Sequence, residues 1–519
     1  MQFTRLVLVA ASVALIPAAA RTQAVEQPPT QPTAAQAPED PREWRSVALA
    51  RALTTAEGIS DPYRRAEGLA SIARVQTVVA ESSTDRTIHQ ALAAVAQIRE
   101  PAFRDWVLND IVLAQIAADD LAGARETANR IEARRQQGAA LAQIAAVQLR
   151  AGNVAGAQQT AAVIREPEPK GDVLRQLVAI AASRGDLATA RNILRDIDDP
   201  FSLALAAGDI AVAEVRAGRN DAATAMASRV RRADRAQVYG RIALTRAEQG
   251  DINGAVETLQ KVDDALYRAV MRGRLAVTRM GNDASAGKQM FAAAVAEVEA
   301  YRNEPDRRAL TFAQIGRMQA VVRDGEAARR TLALARQAAE KIERGERRED
   351  TFDHIGRGLA RAGDFPAALQ TALQMDDRFA RALLVRDIVT MQANADSTSA
   401  SASADDFDDP LIEAAAQFGV LGMQLLRAAP LSKETIEAAR RAVRNIDETQ
   451  PKPAAFAALA AARVKTGDVA EAAAIFNEAL QAADAIARSE QRAIAYVDML
   501  AALNDQLMFL GQPARQEEK

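Results

Sequence analysis

Residue types able to do covalent or acid–base chemistry are scarce in this sequence. Its 519 residues include no Cys and two His, His89 and His354. That removes thiol nucleophiles, disulfides and thiolate zinc sites, and most of the usual vocabulary of general bases and metal ligands. The two His lie far apart inside helical patterns, and neither has a ligand-spaced partner. No P-loop, Gly-x-Ser-x-Gly elbow or His-Glu-x-x-His occurs, so no catalytic, metal or cofactor residue is assigned. What does recur is a charged or polar residue two positions before a Gly: Arg150, Ser183, Arg216, Glu248, Arg279, Arg361 and Lys465. Five of these seven are basic, and that is chemistry for binding an anion. A cation in the last turn of a helix is also favoured by the macrodipole, by about 0.3–1 kcal/mol wherever it points.

The elements that hold this row repeat. Gly152, Gly185, Gly218 and Gly250 follow one another at 33, 33 and 32 residues. Gly363–Asp364 and Gly467–Asp468 continue the motif, with degenerate copies near Asp119–Asp120, Gly281–Asn282 and Arg323–Asp324. A second marker keeps the beat, an aliphatic residue followed by acids or Asp/Glu-Pro and often Arg: ISDPYRR from Ile59, IREPAFR from Ile98, IDDPFS from Ile197 and MDDRFAR from Met375. In one unit, Val173, Leu174, Leu177, Ile180 and Ala181 form a helical stripe, and Leu187, Ala190, Ile193, Leu194 and Ile197 form a second. Gly185 can close the first helix in the left-handed conformation, and Asp186 can cap the next. Asp199–Pro200 stops the second helix and opens a new one. A lone hairpin of this kind leaves its apolar faces bare, so units must stack into an all-α solenoid of antiparallel helix pairs. The Arg residues after the acidic markers (Arg64, Arg65, Arg104, Arg268, Arg378) are expected to pair with acids of adjacent turns such as Asp61, Asp263 and Asp376.

Leu177, Gly185, Ala190 and Leu194 fall where tetratricopeptide repeats place a first-helix Leu, a turn Gly, a second-helix Ala and a bulky apolar residue. The chain thus resembles that family over roughly residues 42–392 and again near 456–500. It departs from it in a 33-residue period, in Ala or aliphatic residues at the aromatic positions, and in a Pro two residues early. The resemblance implies a superhelix whose first helices line a concave groove. The row from Arg150 to Lys465 would then face the groove near its edge, as a ladder for an acidic peptide or a C-terminal carboxylate. The expected function is a non-catalytic scaffold or adaptor for a protein or peptide partner, the alternative being a structural subunit that self-associates through an exposed terminal repeat. A remote third reading is a peptidoglycan-acting enzyme, because superhelical lytic transglycosylases share such a scaffold. Their Glu-Ser pair and Gly-Leu-Met-Gln stretch are not reproduced: Gly422–Met423–Gln424 lacks the Leu, Glu413 precedes Ala, and Ser489–Glu490 runs in the wrong order.

Composition agrees with packed helices. Hydrophobic residues are 49% of the chain but aromatics only 4%, so small aliphatic side chains dominate and helices can approach closely. The 65 Lys+Arg nearly cancel the 68 Asp+Glu, and no basic stripe marks a nucleic-acid surface. Arg5, the apolar run Leu6–Ile16 and the small residues Ala18–Ala20 read as a cleaved secretory signal, cut after Ala20 or Ala24. The run is well short of the ~20 apolar residues of a membrane span. Export to a bacterial periplasm is expected, with secretion beyond it open. The expected plan is a signal at 1–20, a Pro-rich linker at 21–41, the solenoid at 42–392, a disordered Ser/Ala/Asp-rich linker at 393–410, a C-terminal helical block at 411–511 and a polar tail at 512–519. The apolar segment Leu411–Leu426 reads either as a core helix or as a docking element on that linker, and Trp44 and Trp106 read as space-fillers.

Overall fold

A computed structural model of the chain describes residues 38–78, 83–427, 433–447 and 449–504. The leader, nearly all of the Pro-rich linker and the polar tail lie outside the described residues. The described residues belong to one compact unit, Ala37–Lys519. They form twenty-six α-helices and two short 3-10 helices, with no strand among them. The fold is an all-α solenoid of antiparallel helix pairs.

The unit read above folds as Pro167–Ser183 followed by Leu187–Leu194. Val173, Leu174, Leu177, Leu187, Ala190 and Leu194 are buried, while Ile180 and Ile193 stay partly exposed. Gly185 takes φ 78°, its N–H donates to Ala182 O at 3.0 Å, and the Asp186 N–H donates to Ala181 O at 3.0 Å. Asp186 Oδ1 then accepts from the Thr189 N–H at 3.0 Å. The turn therefore satisfies both orphaned carbonyls of one helix and an orphaned amide of the next.

Gly152, Gly218, Gly250, Gly363 and Gly467 share that backbone, and Asp119 (φ 60°) and Arg323 (φ 62°) adopt it without a glycine. A side chain in this region costs about 1–2 kcal/mol. Arg323→Gly is therefore expected to stabilise the chain by about 1 kcal/mol, and Gly185→Ala to destabilise it by about as much. Both are read as shifts in the urea midpoint at unchanged m-value; two unmoved midpoints would contradict this turn geometry.

First helices of successive units pack on one another along their length, whereas each second helix packs mainly on its own first helix and the next one and meets its fellow second helices through side chains such as Arg440 and Glu478. The one seam in the first-helix layer lies between Pro410–Leu426 and Pro451–Lys465, which Lys433–Asn445 bridges. The array then closes. The last described helix, Ser489–Asn504, packs on Pro62–Val78 as a neighbouring first helix does, and takes the N-terminal helix Trp44–Glu57 as its second helix. Thirteen pairs thus form a ring, the closing pair being assembled from both ends of the described chain. Trp44 stacks on Phe476 with ring centroids 4.7 Å apart, Arg51 pairs with Asp484 at 2.5 Å, and Arg45 donates to Leu503 O at 3.2 Å. Among the described residues the two end helices cover each other, so neither presents a bare terminal repeat.

In a closed double layer, the layer whose members pack on one another along their length has the shorter circumference. The first helices are therefore the inner layer, and the second helices stand outside.

The region expected as a disordered linker contains a helix, Ser397–Ala404. Asp396 accepts from the Thr398 N–H at its start, and Ala400 and Ala404, four residues apart, give it a small buried face. It is a short second helix for Arg378–Ala395, so the blocks before and after it belong to one array. The apolar segment is the helix Pro410–Leu426, packed on its neighbours rather than held free. A Cβ at Gly419 would meet Arg386 O at 2.7 Å, so the two inner helices there nearly touch backbone to backbone.

Candidate binding surface on the inner helix layer

Pro410–Leu426 is buried on all sides from Ala414 to Met423, but each inner helix from Pro62–Val78 to Glu346–Arg361 keeps one face uncovered by its neighbours. On Pro101–Ala117 it carries Trp106, Asp110, Leu113 and Ala117; on Glu346–Arg361 it carries Asp350, His354, Arg357 and Arg361. These spacings of four and three residues keep one helical face, and every residue named is at least partly exposed. Arg150, Ser183, Arg216, Glu248, Arg361 and Lys465 are exposed in the last turn of that face, at the edge bearing the Gly turns. Ser183 Oγ donates to Ile180 O at 2.8 Å.

Arg279 stands out of register. In the units with a left-handed turn the N–H of the capping residue donates five residues back, as Asn153 does to Gln148 O and Asp251 to Arg246 O; here Asp283 donates four back, to Arg279 O, as Asp396 does to Gln392 O. The turn is one residue shorter, and Gly281 stays right-handed at φ −67°. Arg279 thereby occupies the place of Arg246 rather than Arg216, and like Arg246 it bonds its cap, Asp283, at 3.2 Å.

That place is a structural position the spacing analysis missed. Four residues before the left-handed residue stand Gln115, Gln148, Glu214, Arg246, Gln319 and Arg463, with Ala181 and Leu359 at that place in the two remaining turns. Gln148 Oε1 accepts from Thr160 Oγ1 at 2.9 Å, and Arg246 bonds Asp251 at 2.8 Å and Thr258 at 3.2 Å. Each such bond ties an inner helix to its outer partner. The recurrence of long polar side chains at that one position was the available signal.

Of the Arg residues after the acidic markers, Arg104 and Arg378 reach the corner that opens the next unit, while Arg268 reaches the second helix of its own unit. Arg378 pairs with Asp409 at 2.8 Å, and Arg104 with Glu132. Arg268 pairs with Glu297, while Arg64 stays local with Glu67 at 3.1 Å. Asp263 and Asp376 are used instead by Arg232 and Arg348, at 3.0 and 3.1 Å. These exposed pairs staple adjacent corners, at about 0–1 kcal/mol each.

Midway along the inner face, charges pair laterally between helices. Arg241 bonds Asp209 at 2.5 Å and Leu205 O at 3.0 Å. Arg357 bonds Asp353 at 2.9 Å and also Asp387, which the buried Arg386 meets at 2.7 Å. Arg317 Nη1 lies 3.5 Å from His354 Nδ1; burial and then the Arg317 charge hold the His354 pKa below its ordinary value.

Two carboxyls on this face are shifted the other way. Desolvation pushes Asp110 up to about 6, with Arg74 opposing and Glu67 assisting. Asp498 is reachable by solvent, yet the protein around it pushes it up to about 7 through desolvation. Such groups bind protons in the native state that the unfolded chain releases. Their contribution is full below the unfolded pKa near 3.8 and is lost as pH rises through about 6 and about 7. Asp110→Asn should therefore gain stability relative to the parent as pH rises from about 5 to about 7.5, whereas at the solvent-exposed Asp498 the same change should do less. Melting temperatures that keep a constant offset from the parent would contradict the shifts.

Trp44 is 1% exposed and fills the closing pair as expected, but Trp106 is 62% exposed on the inner layer and fills nothing. Among the described residues no three His, Asp or Glu are grouped to hold a metal ion, and no helix is long and apolar enough to cross a membrane.

No family model and no curated protein matches the sequence. Similar solved structures include Ton1535 from Thermococcus onnurineus NA1, with 16% identity, TM-score 0.25, and coverage of 67% of this chain and 98% of that one. A human IFIT1 dimer with PPP-AAAA gives 13% identity, TM-score 0.26, and coverage of 85% and 95%. A signal transduction ATPase with a tetratricopeptide repeat sensor, PH0952 from Pyrococcus horikoshii, gives 11%, 0.21, and coverage of 70% and 52%. At these scores the likenesses carry no argument about function, and the architecture stands on the chain's own helix pairs.

Proposed function

Because the chain is a tetratricopeptide-like helical-repeat protein, we propose that it is a non-catalytic scaffold holding another protein or peptide on the inner face of its ring. The observation that carries this reading is the uncovered face shared by the inner helices from Pro62–Val78 to Glu346–Arg361, where charged side chains and Trp106 are exposed. Stacked helix pairs suit such a role, since they offer extended surface in place of a reactive pocket. The exposed basic residues Arg150, Arg216, Arg361 and Lys465 supply contacts for carboxylates along one edge. The leader-like N-terminus supports export, and the site of action in this reading is the bacterial cell envelope.

Two measurements test it. Fractionation with N-terminal sequencing is expected to find the protein in the periplasm, starting at Arg21 or Val25; a cytoplasmic chain that keeps Met1 would remove the envelope setting. Affinity capture of the tagged mature chain from its own envelope, read by mass spectrometry, is expected to enrich a partner that a charge-reversed inner-edge variant (Arg150→Glu, Arg216→Glu, Arg361→Glu) retains poorly. Equal recovery on both would exclude that edge, and no enrichment at all would sink the scaffold reading.

A further inference from the structure

The inner layer is not chemically uniform, and its most distinctive stretch lies beside the ring closure. Trp106 is one of only two Trp in the chain, and at 62% exposed it is left outside the core. A large aromatic surface turned to water carries no folding benefit, and such surfaces mark contact sites. One helical turn along the same face is Asp110, for which no hydrogen bond or ion pair with a described residue is found. On the adjacent inner helix, Pro62–Val78, Tyr63 and Glu67 repeat the aromatic-then-acid order at the same four-residue spacing. The two helices are joined at this spot: the Tyr63 ring lies 4.9 Å from that of Phe103, and Tyr63 Oη donates to Glu67 at 3.3 Å. Asp110 and Glu67 are close enough to influence each other's charge. The closing helix Ser489–Asn504 adds Glu490 and Asp498 on its corresponding face.

Around this patch the carboxyls of Glu67, Asp110 and Glu490 face two guanidiniums, those of Arg64 and Arg74. Arg64 is already engaged, by Glu67 at 3.1 Å and by the Tyr63 ring at 5.1 Å. The remaining surface is an exposed indole one helical turn from the Asp110 carboxyl, which no ion pair or hydrogen bond with a described residue engages. That combination suits a cation on an aliphatic stem, which can lie across the ring face while carboxylates accept its N–H groups. It disfavours the acidic ligand that the basic edge of the ring would take.

We infer that the inner face of Pro62–Val78 and Pro101–Ala117 docks an extended basic segment of a partner protein, an Arg or Lys side chain lying over Trp106 and held by Asp110 and Glu67. The inference rests on the inner face being the partner surface.

The test uses the full mature chain and a fluorescein-labelled peptide of four Arg spaced by Gly, with the Glu counterpart as control, followed by anisotropy. The Arg peptide is expected to bind saturably and at least tenfold more tightly than the Glu peptide. Trp106→Ala and Asp110→Asn are each expected to weaken it about tenfold or more, while Phe201→Ala, at another exposed aromatic of the inner layer, leaves it unchanged. A cooperative melting transition and parental helix content would show that the variants are folded. Equal binding of the two peptides, absence of Arg-peptide binding, or undiminished binding by both patch variants would overturn the inference. Envelope capture that persists in those cases would leave the scaffold reading standing, so the two can fail separately.

Discussion

Trp44→Ala is expected to lower the unfolding free energy by about 3–5 kcal/mol, the cost typical of removing a fully buried large aromatic. The site has little means of relaxing. Trp44 is buried against Phe476, more than four hundred residues away in the chain, and donates its indole N–H to Pro38 O at 2.8 Å. The loss should also have a particular character. In an open array a terminal repeat frays and the rest persists; here the N-terminal helix covers the last inner helix, so undocking it bares Ala495, Tyr496, Met499 and Leu503 as well. Hydrogen exchange should therefore rise together in 44–57 and 489–504. Faster exchange confined to 44–57 would mean that the last helix does not depend on the first.

The second large effect concerns a buried charge. Asp387 is 4% exposed and accepts from two guanidiniums, Arg386, itself buried, and Arg357. Asp387→Ala takes a buried carboxylate from Arg386 and from Arg357, and leaves Arg357 with the more exposed Asp353, a change that costs about 3–5 kcal/mol. Asp409→Ala, which breaks the more accessible pair with Arg378 and removes a helix cap, is expected to cost about 1–2 kcal/mol. Urea denaturation of the two variants checks the order, and a larger loss at Asp409 would contradict the burial argument.

The parts of the fold legible in the sequence were those set by local backbone chemistry. A glycine that must take positive φ, an Asp that must reach an amide three residues on, and a Pro that ends one helix and starts another leave their marks within a few residues. Gly185, Asp186 and Pro200 show all three. Arg323 and Asp119 show that the turn outlasts its glycine, so the degenerate copies marked real boundaries.

Ring closure was not legible, because nothing near Trp44 names Phe476. The exposed place of Trp106 was hidden for a related reason: its neighbours on Pro101–Ala117 are as apolar as those of any core helix, and only the layer order reveals which face is bare. Ser397–Ala404 was obscured by composition, since Ser and Ala in alternation resemble a linker until Asp396 caps them and every fourth Ala meets a neighbour. The row before the glycines proved to be one line of a broader face, and Arg279 left it through a one-residue change in turn length. The polar position occupied by Gln148 and Arg246 lay in plain view, but its role depends on partners in the next helix.

Closure of the array underlies both the assignment of inner and outer layers and the surface proposed for binding. It can be measured directly because the natural chain has no Cys, so labels go only where Cys is introduced. Spin labels on Arg51→Cys and Asp484→Cys, the pair that meets across the closing helices, should give one narrow distance distribution below about 25 Å by double electron–electron resonance. An open superhelix of thirteen pairs spaced about 10 Å apart would separate its ends by several tens of ångströms, and a broad distribution centred there would contradict the ring.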